Sequence, residues 1–342
     1  MPLLEVQDLS VAYRVDGGTL HAVRGVSMEV GEGESLGLVG ESGCGKTTLA
    51  KSLLKVLPPN GRITAGGIRL KGRDLVPLTE ARMRKIRWKD VAMVFQSAMN
   101  ALDPVYRIQD QIVEAIKLHR KVVRREALRR AAELFDLVGI DRKRLRDYSH
   151  QFSGGMRQRA CIAIALAVHP SLLVADEPTT ALDVIVKDEI LERITTLQKD
   201  LRIALIYVSH DISVVAETCG RVAVMYAGEI VEYGGVATVF SAPVHPYTMG
   251  LLNAFPRLAG DQRLVAIPGY PPNLMAPPRG CAFAARCPFA EDVCTTDDPP
   301  LHEVSSGHAV ACHFAGRAEE FRGMASQRET WQRHGAAAGW TQ

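Results

Sequence analysis

The 342-residue chain predicts an α/β fold, a mixed sheet core with an antiparallel β edge and a helical subdomain, followed by a small irregular C-terminal extension. Three observations carry this reading. Short apolar runs such as "SLLVADE" (171 to 177) and "IALIYVSH" (203 to 210) alternate with helical stretches, the pattern of a largely parallel sheet. Hydrophobic residues at 47% and charged ones at 23% fit a globular chain with a substantial core. Beyond "HPYTMGLLNAF" the periodicity gives way to Pro268, Pro271, Pro272, Pro277 and Pro278, which places a boundary near 255 to 265.

The elements follow in order. Alternating apolar positions in "LLEVQDLSVAYRV" and "LHAVRGVSMEV" predict two strands joined across "DGG" (16 to 18). The buried strand "ESLGLVG" runs into "ESGCGKTTLAKSLLKVL", whose second half has helical periodicity and stops before Pro58 and Pro59. "ITAGGIRLKGRDL" reads as another hairpin, followed by a basic helix, the strand "DVAMVFQ" and helices around 107 to 119 and 123 to 138. From 153 the order is helix, strand, helix (184 to 200), strand, helix (212 to 219), with "RVAVMYAGEIVEYG" as a closing hairpin.

Charge says little about partners, because 41 Lys and Arg against 38 Asp and Glu leave a net +3. The basic runs "ARMRKIRWK" and "KLHRKVVRREALRR" read as solvated helix faces, or as contacts for an acidic partner or lipid headgroups. The apolar run "CIAIALAV" falls far short of the roughly 20 residues of a membrane span. "MPLLEVQDLS" lacks the basic start and apolar core of a signal peptide, so the chain is expected to stay in the cytoplasm.

"GESGCGKT" (40 to 47) matches the phosphate-binding loop, and it sits where the mechanism needs it, between a strand and a helix. Gly40, Gly43 and Gly45 let backbone N–H groups at Glu41, Ser42 and Cys44 wrap phosphates; Lys46 reaches the outer phosphates, Thr47 supplies a hydroxyl to Mg2+, and Thr48 opens the helix. Cys44 is a small filler or, if the helix end lowers its thiol pKa, an oxidation-sensitive one. "LLVADEP" ends a buried strand in two acids, which is costly unless they serve a cation or the chemistry. Asp176 would hold magnesium and Glu177 would polarise an attacking water.

"FSGGMRQR" (152 to 159) adds a second anion-binding helix end. Together with "ALD" (181 to 183), His210 after "LIYVS", Gln96 ending "AMVFQ" and Tyr13 near the start, the set resembles the ATP-binding cassette of ABC transporters over residues 3 to about 255. The resemblance implies that Tyr13 stacks on adenine and that Gln96 senses magnesium and faces the membrane partner. It implies that Ser153, Gly154 and Gly155 contact the γ-phosphate held by the opposite subunit. Asp183 would couple the two sites, and His210 would hold the γ-phosphate and water. Phe152 and Met156 depart from the usual Leu and Gln of that motif.

Seven cysteines are an odd number, and four of them, Cys281, Cys287, Cys294 and Cys312, fall in the extension, separated by five, six and seventeen residues. That spacing is unlike zinc ribbons, and four thiolates suit zinc or an iron–sulfur cluster alike. The surrounding "HPYTMGLL", "IPGYPPN", "GCAFAARCPFAEDVC" and "VACH" resemble the extension of ATPase subunits of dipeptide and oligopeptide importers. This resemblance implies a [4Fe–4S] cluster, with zinc as the alternative occupant, stapling a segment too poor in apolar periodicity for its own core. Cys161 and Cys219 read as core residues.

The expected organisation is a nucleotide-binding domain over 1–258 with its helical subdomain at roughly 97–168, the cysteine-bearing extension over 259–316, and a mobile tail over 317–342. The resemblance implies a peripheral ATPase on the cytoplasmic face of the membrane, energising peptide import. Its partners would be a second cassette, two transmembrane permease subunits and an extracytoplasmic binding protein, with no nucleic acid. Nickel, opine or oligosaccharide cargo is the alternative, and a soluble ATPase acting on nucleic acid or ribosomes a more distant one.

Overall fold

The computed structural model describes residues 1–95, 101–179, 184–254 and 266–337. Strands β1 (Leu4–Val15) and β2 (Gly18–Val30) form the expected antiparallel ribbon, paired from Leu4↔Val30 to Val15↔Gly18. Strand β3 (Ser35–Val39) leads into helix α1 (Lys46–Leu53). Strand β4 (Gly61–Leu70) pairs with the far side of β1, and β5 (Arg73–Asp74) completes a four-stranded sheet ordered β2-β1-β4-β5.

The basic helix expected next is only four residues, α2 (Glu80–Met83). Arg87 draws the chain away from the helical path by donating to the carbonyls of Leu54 and Lys55, and Trp88 turns left-handed at φ 68°. Strand β6 (Val91–Val94) and helices α3 (Ile108–His119), α4 (Arg124–Leu137) and α5 (Gly154–Ala165) follow. Then come β7 (Leu172–Asp176), α6 (Val184–Leu201), β8 (Ala204–Val208), α7 (Ile212–Thr218), β9 (Arg221–Tyr226), β10 (Glu229–Gly235), α8 (Val236–Ser241) and α9 (Pro246–Asn253).

The extension, taken from here on together with the tail that continues it, supplies α10 (Asp292–Thr296), β11 (His302–Ser305), β12 (His308–Val310), α11 (Ala318–Ala325) and α12 (Arg328–Ala337). Its hairpin changes the expected outline of the main sheet. The β9–β10 pair does not close the sheet, because β12 pairs with β10 at Glu232↔Val310 and Tyr233↔Ala309. Among the described residues the result is an eight-stranded order β11-β12-β10-β9-β3-β8-β7-β6, with β9, β3, β8, β7 and β6 mutually parallel. One face of this sheet shares a core with the ribbon and α1 through Leu36, Leu38, Ile206 and Val208. The other packs under the helices through Leu205, Tyr207 and Val224.

Phe283, Phe321 and Trp331 of the extension join that second core, so the extension borrows apolar surroundings from the rest of the chain. Tyr226, Tyr247 and Phe283 meet with ring centroids 4.6 to 5.4 Å apart, and Phe289 stacks on Phe321 at 4.2 Å. The tail expected to be mobile from 317 is helical through 337. Trp331 is 1% exposed, and its indole N–H donates to the Ala325 carbonyl. Beneath its Ala, Gly and Arg composition, α11 presents one apolar side, Phe321 and Ala325, to the core.

Candidate nucleotide-binding site

The loop between β3 and α1 turns as a phosphate cradle must. Gly40 sits at φ 150° and Gly45 at φ 105°, and a Cβ at either would lie 2.1 to 2.2 Å from the Met225 or Ala22 carbonyl oxygen. Only glycine fits there. No side chain caps α1, and its first turn carries no acid, which leaves its N-terminal dipole to an anion. Ser42 and Gly43 are exposed at the tip of the loop. The buried Lys46 ammonium donates to the carbonyls of Gly40 at 2.7 Å and Glu41 at 2.9 Å.

Cys44 is 4% exposed, and burial pushes its thiol up more than Lys46 pulls it down. The helix end does not activate it, and Cys44 is a small filler under the loop. Cys161 and Cys219 are buried as expected, their thiols pushed up to about 12 and about 11 by desolvation.

The acids ending β7 stand beside this loop. The Thr47 hydroxyl donates to Asp176 Oδ1 at 3.1 Å, which brings together two of the three residues expected on magnesium. Burial raises the Asp176 carboxyl, the Thr47 hydroxyl opposes that, and the Glu177 charge adds to it. A divalent cation would offset this raised cost of ionisation. Glu177 adopts φ 46°, held by its N–H donating to the Val208 carbonyl, and its Oε1 is 3.0 Å from His210 Nδ1. The phenol of Tyr13 lies 3.0 Å from the Thr48 hydroxyl. Hydrogen bonds thus connect Tyr13 to Thr48, Thr47 to Asp176 and Glu177 to His210 along one edge.

Ser153, Gly154 and Gly155 stand on a separate helix end. Ser153 caps α5 by accepting from the Met156 N–H, and no acid occupies the first turn. Gly155 has no room for a side chain, since a Cβ would come within 2.4 Å of Val186 Cγ1. Phe152 is buried against Phe135 with the Arg144 guanidinium over its ring. Gln96 and Asp183 lie outside the described residues.

Two site residues, Tyr247 and Arg286, had no role on sequence grounds. The Glu41 N–H donates to the Tyr247 hydroxyl at 2.8 Å, and its carboxylate is gripped by Arg286 at 2.7 and 2.9 Å. A lone arginine inside the otherwise apolar "CAFAARCPF" was the one available signal.

In the extension, Cys287 and Cys294 are buried and Cys281 and Cys312 half-buried. The Cys281 N–H donates to the Cys294 carbonyl. Burial pushes the Cys281 thiol up to about 12, and charge on Cys294 and Cys312 would push it further; Cys287 is raised by burial and by the other three thiols. The four thiols therefore share one neighbourhood. Among the described residues, however, no three His, Cys, Asp or Glu side chains stand in a metal-holding arrangement.

These contacts and the sheet beneath them define an ATPase cassette of the ABC type. The ABC transporter family model matches residues 23–180. The dimeric cassette MJ0796, solved in a post-hydrolysis state with ADP and Pi, aligns with a TM-score of 0.62 and 25% identity over 68% of this chain and 98% of its own. CbiO1 from Clostridium perfringens aligns with a TM-score of 0.61 and 27% identity, over 70% and 91%.

The model for the oligopeptide/dipeptide transporter C-terminal region matches residues 231–294. The chain is 47% identical to the oligopeptide transport ATP-binding protein OppD of Bacillus subtilis, over 90% of this chain and 87% of that one. Its identity to OppD of Escherichia coli is 44%, over 91% and 92%. The chain belongs to the family of ATP-binding subunits of oligopeptide and dipeptide ABC transporters.

Proposed function

We propose that this chain hydrolyses ATP to drive peptide import, as one of two cassettes docked on the cytoplasmic face of two permease subunits that an extracytoplasmic binding protein supplies. The observation that carries it is the acid pair ending β7, with Asp176 bonded to Thr47 and Glu177 beside His210, in a chain that also has the peptide-transporter C-terminal region. None of the described helices is long and apolar enough to cross a membrane, which supports a peripheral subunit served by separate permeases.

The proposed roles are these. Tyr13 stacks on adenine, and the backbone of Gly40 to Gly45, through Glu41, Ser42, Gly43 and Cys44, wraps the phosphates with Thr48 at the helix start. Lys46 neutralises the outer phosphates. Thr47, Asp176 and Gln96 serve Mg2+, Glu177 orients the attacking water and His210 steadies it. Ser153, Gly154 and Gly155 complete the site of the opposite cassette, and Asp183 couples the two. We read residues 1–258 as the nucleotide-binding domain with its helical part at about 97–168, and 259–316 as the importer extension.

Vesicles containing this chain with its permeases and binding protein should take up labelled peptides on addition of ATP, and Lys46→Ala should abolish uptake. Uptake of nickel, an opine or an oligosaccharide in place of peptides would overturn the cargo.

We also propose that Cys281, Cys287, Cys294 and Cys312 hold a [4Fe–4S] cluster. The buried or half-buried setting of the four cysteines and the raised thiols of Cys281 and Cys287 support it, because a cation there would relieve the cost of ionising those two. The group would cross-link the extension. Anaerobically purified chain should carry about four iron and four sulfide. Zinc without sulfide would replace the cluster with a zinc staple, and metal-free chain would remove both.

A further inference from the structure

Arg286 belongs to the extension, yet it is bonded to a residue of the phosphate loop 245 positions earlier. All three of its nitrogens are engaged. Nε donates to the Pro268 carbonyl at 2.9 Å, Nη1 to Glu41 Oε2 at 2.7 Å and the Tyr226 hydroxyl at 3.2 Å, and Nη2 to Glu41 Oε1 at 2.9 Å and the Ile267 carbonyl at 3.5 Å. The side chain is 4% exposed, with the rings of Tyr226 and Phe283 beside the guanidinium. A fork–fork pair of this kind fixes an angle as well as a distance.

Glu41 is held at three points. Its N–H donates to Tyr247 of α9, its carbonyl accepts from Lys46, and its carboxylate accepts both arms of Arg286. The ammonium that must reach the phosphates is therefore tethered to the residue that Arg286 orients. Burying such a pair adds little net stability over apolar packing of the same volume, so its yield is geometric.

We infer that Arg286 is a positioning residue for nucleotide binding: it holds the Glu41 turn of the phosphate loop in the shape that receives ATP and so makes the extension a determinant of ATP affinity. None of the bonds of Arg286 runs through the four cysteines. Any shift of the 281–294 segment carries Arg286 with it and reaches the loop.

Calorimetric titration of the full chain with MgATP separates affinity from the fraction of competent protein. Arg286→Ala and Glu41→Gln should each raise Kd by about 5- to 150-fold with an unchanged number of sites per chain. Glu41→Gln retains the volume and the backbone bonds to Tyr247 and Lys46, so it remains informative if Arg286→Ala does not fold. The double variant should bind no more weakly than the weaker single one, because both remove the same pair. Arg317→Ala, which breaks exposed ion pairs with Glu291 and Glu320 elsewhere in the extension, should leave Kd unchanged. A lower number of sites at unchanged Kd, effects that multiply in the double variant, or an equal loss in Arg317→Ala would each overturn the inference.

Discussion

At the nucleotide edge the side chain of Glu177 is 15% exposed and that of His210 62%, whereas in the extension Arg286 and His308 keep 4% and 5%. The edge also holds Glu177 in a left-handed backbone conformation that few non-glycine residues adopt. In the extension and its junction, polar groups are used up inside the protein. Glu232, fully buried, accepts from the backbone of Val244 and His245 and lies 2.8 Å from His308 Nε2. One region leaves Glu177 and His210 open to a reacting water and tolerates local strain for it; the other commits its groups to holding elements together. Substitutions at the edge should therefore change rate with little change in stability, and substitutions in the extension away from the Arg286–Glu41 pair the reverse.

The largest effect is expected for Glu177→Gln, which keeps the shape but loses the carboxylate that orients water. Single-turnover hydrolysis should fall by about 10²- to 10⁴-fold. Unfolding by urea should show a stability change below about 0.5 kcal/mol. Hydrolysis at the unmutated rate, or a large loss of stability, would break the contrast from the cassette side.

Next is Trp331→Ala, which empties a buried position and removes the bond to the Ala325 carbonyl. A loss of about 3–5 kcal/mol is expected, read by urea unfolding, with early proteolysis of the 318–337 helices. If those helices stay protease-resistant and the stability is unchanged, the extension is not held as described.

The smallest effect concerns pH. His245 is buried, its Nδ1 accepts from the Tyr247 N–H, and desolvation pushes its pKa down to about 3, while a hydrogen bond with the Ala311 backbone opposes the shift. An unfolded histidine titrates near 6.5, so the stability tied to the neutral ring is whole above that pH and is lost as pH falls toward 3, at about 1.4 kcal/mol per pH unit. Between pH 6.5 and 5 the loss is about 2 kcal/mol, and it should be absent in His245→Gln. Equal acid sensitivity of the two proteins would exclude this junction as its source.

What was legible in the sequence acts over short distances. Gly40, Gly45, Lys46 and Thr47 work within one turn of chain, so their spacing alone exposes the phosphate loop. Asp176 and Glu177 stand out because acids seldom end so apolar a strand. The remainder depends on contacts between distant segments. Arg286 has no spacing relation to Glu41, and β12 is three residues long, too short for an alternation to register. Composition misled at the tail, where one apolar face, Phe321 and Ala325, sufficed to dock a helix. At α2 the basic run is helical in propensity, but Arg87 is recruited by the carbonyls after α1, a tertiary contact that no local pattern announces.

The pairing of β12 with β10 also bears on how the chain stays soluble when handled in parts. Ile230, Val231 and Tyr233 are buried along β10, and the three residues of β12 cover its outer margin. Cut the chain after 254 and that margin becomes an unpaired row of backbone donors and acceptors beside apolar side chains, a template for strand addition from another molecule. The hairpin thus shields an aggregation-prone edge, and expression of the shortened cassette would call for a charged substitution on β10 to replace that shield.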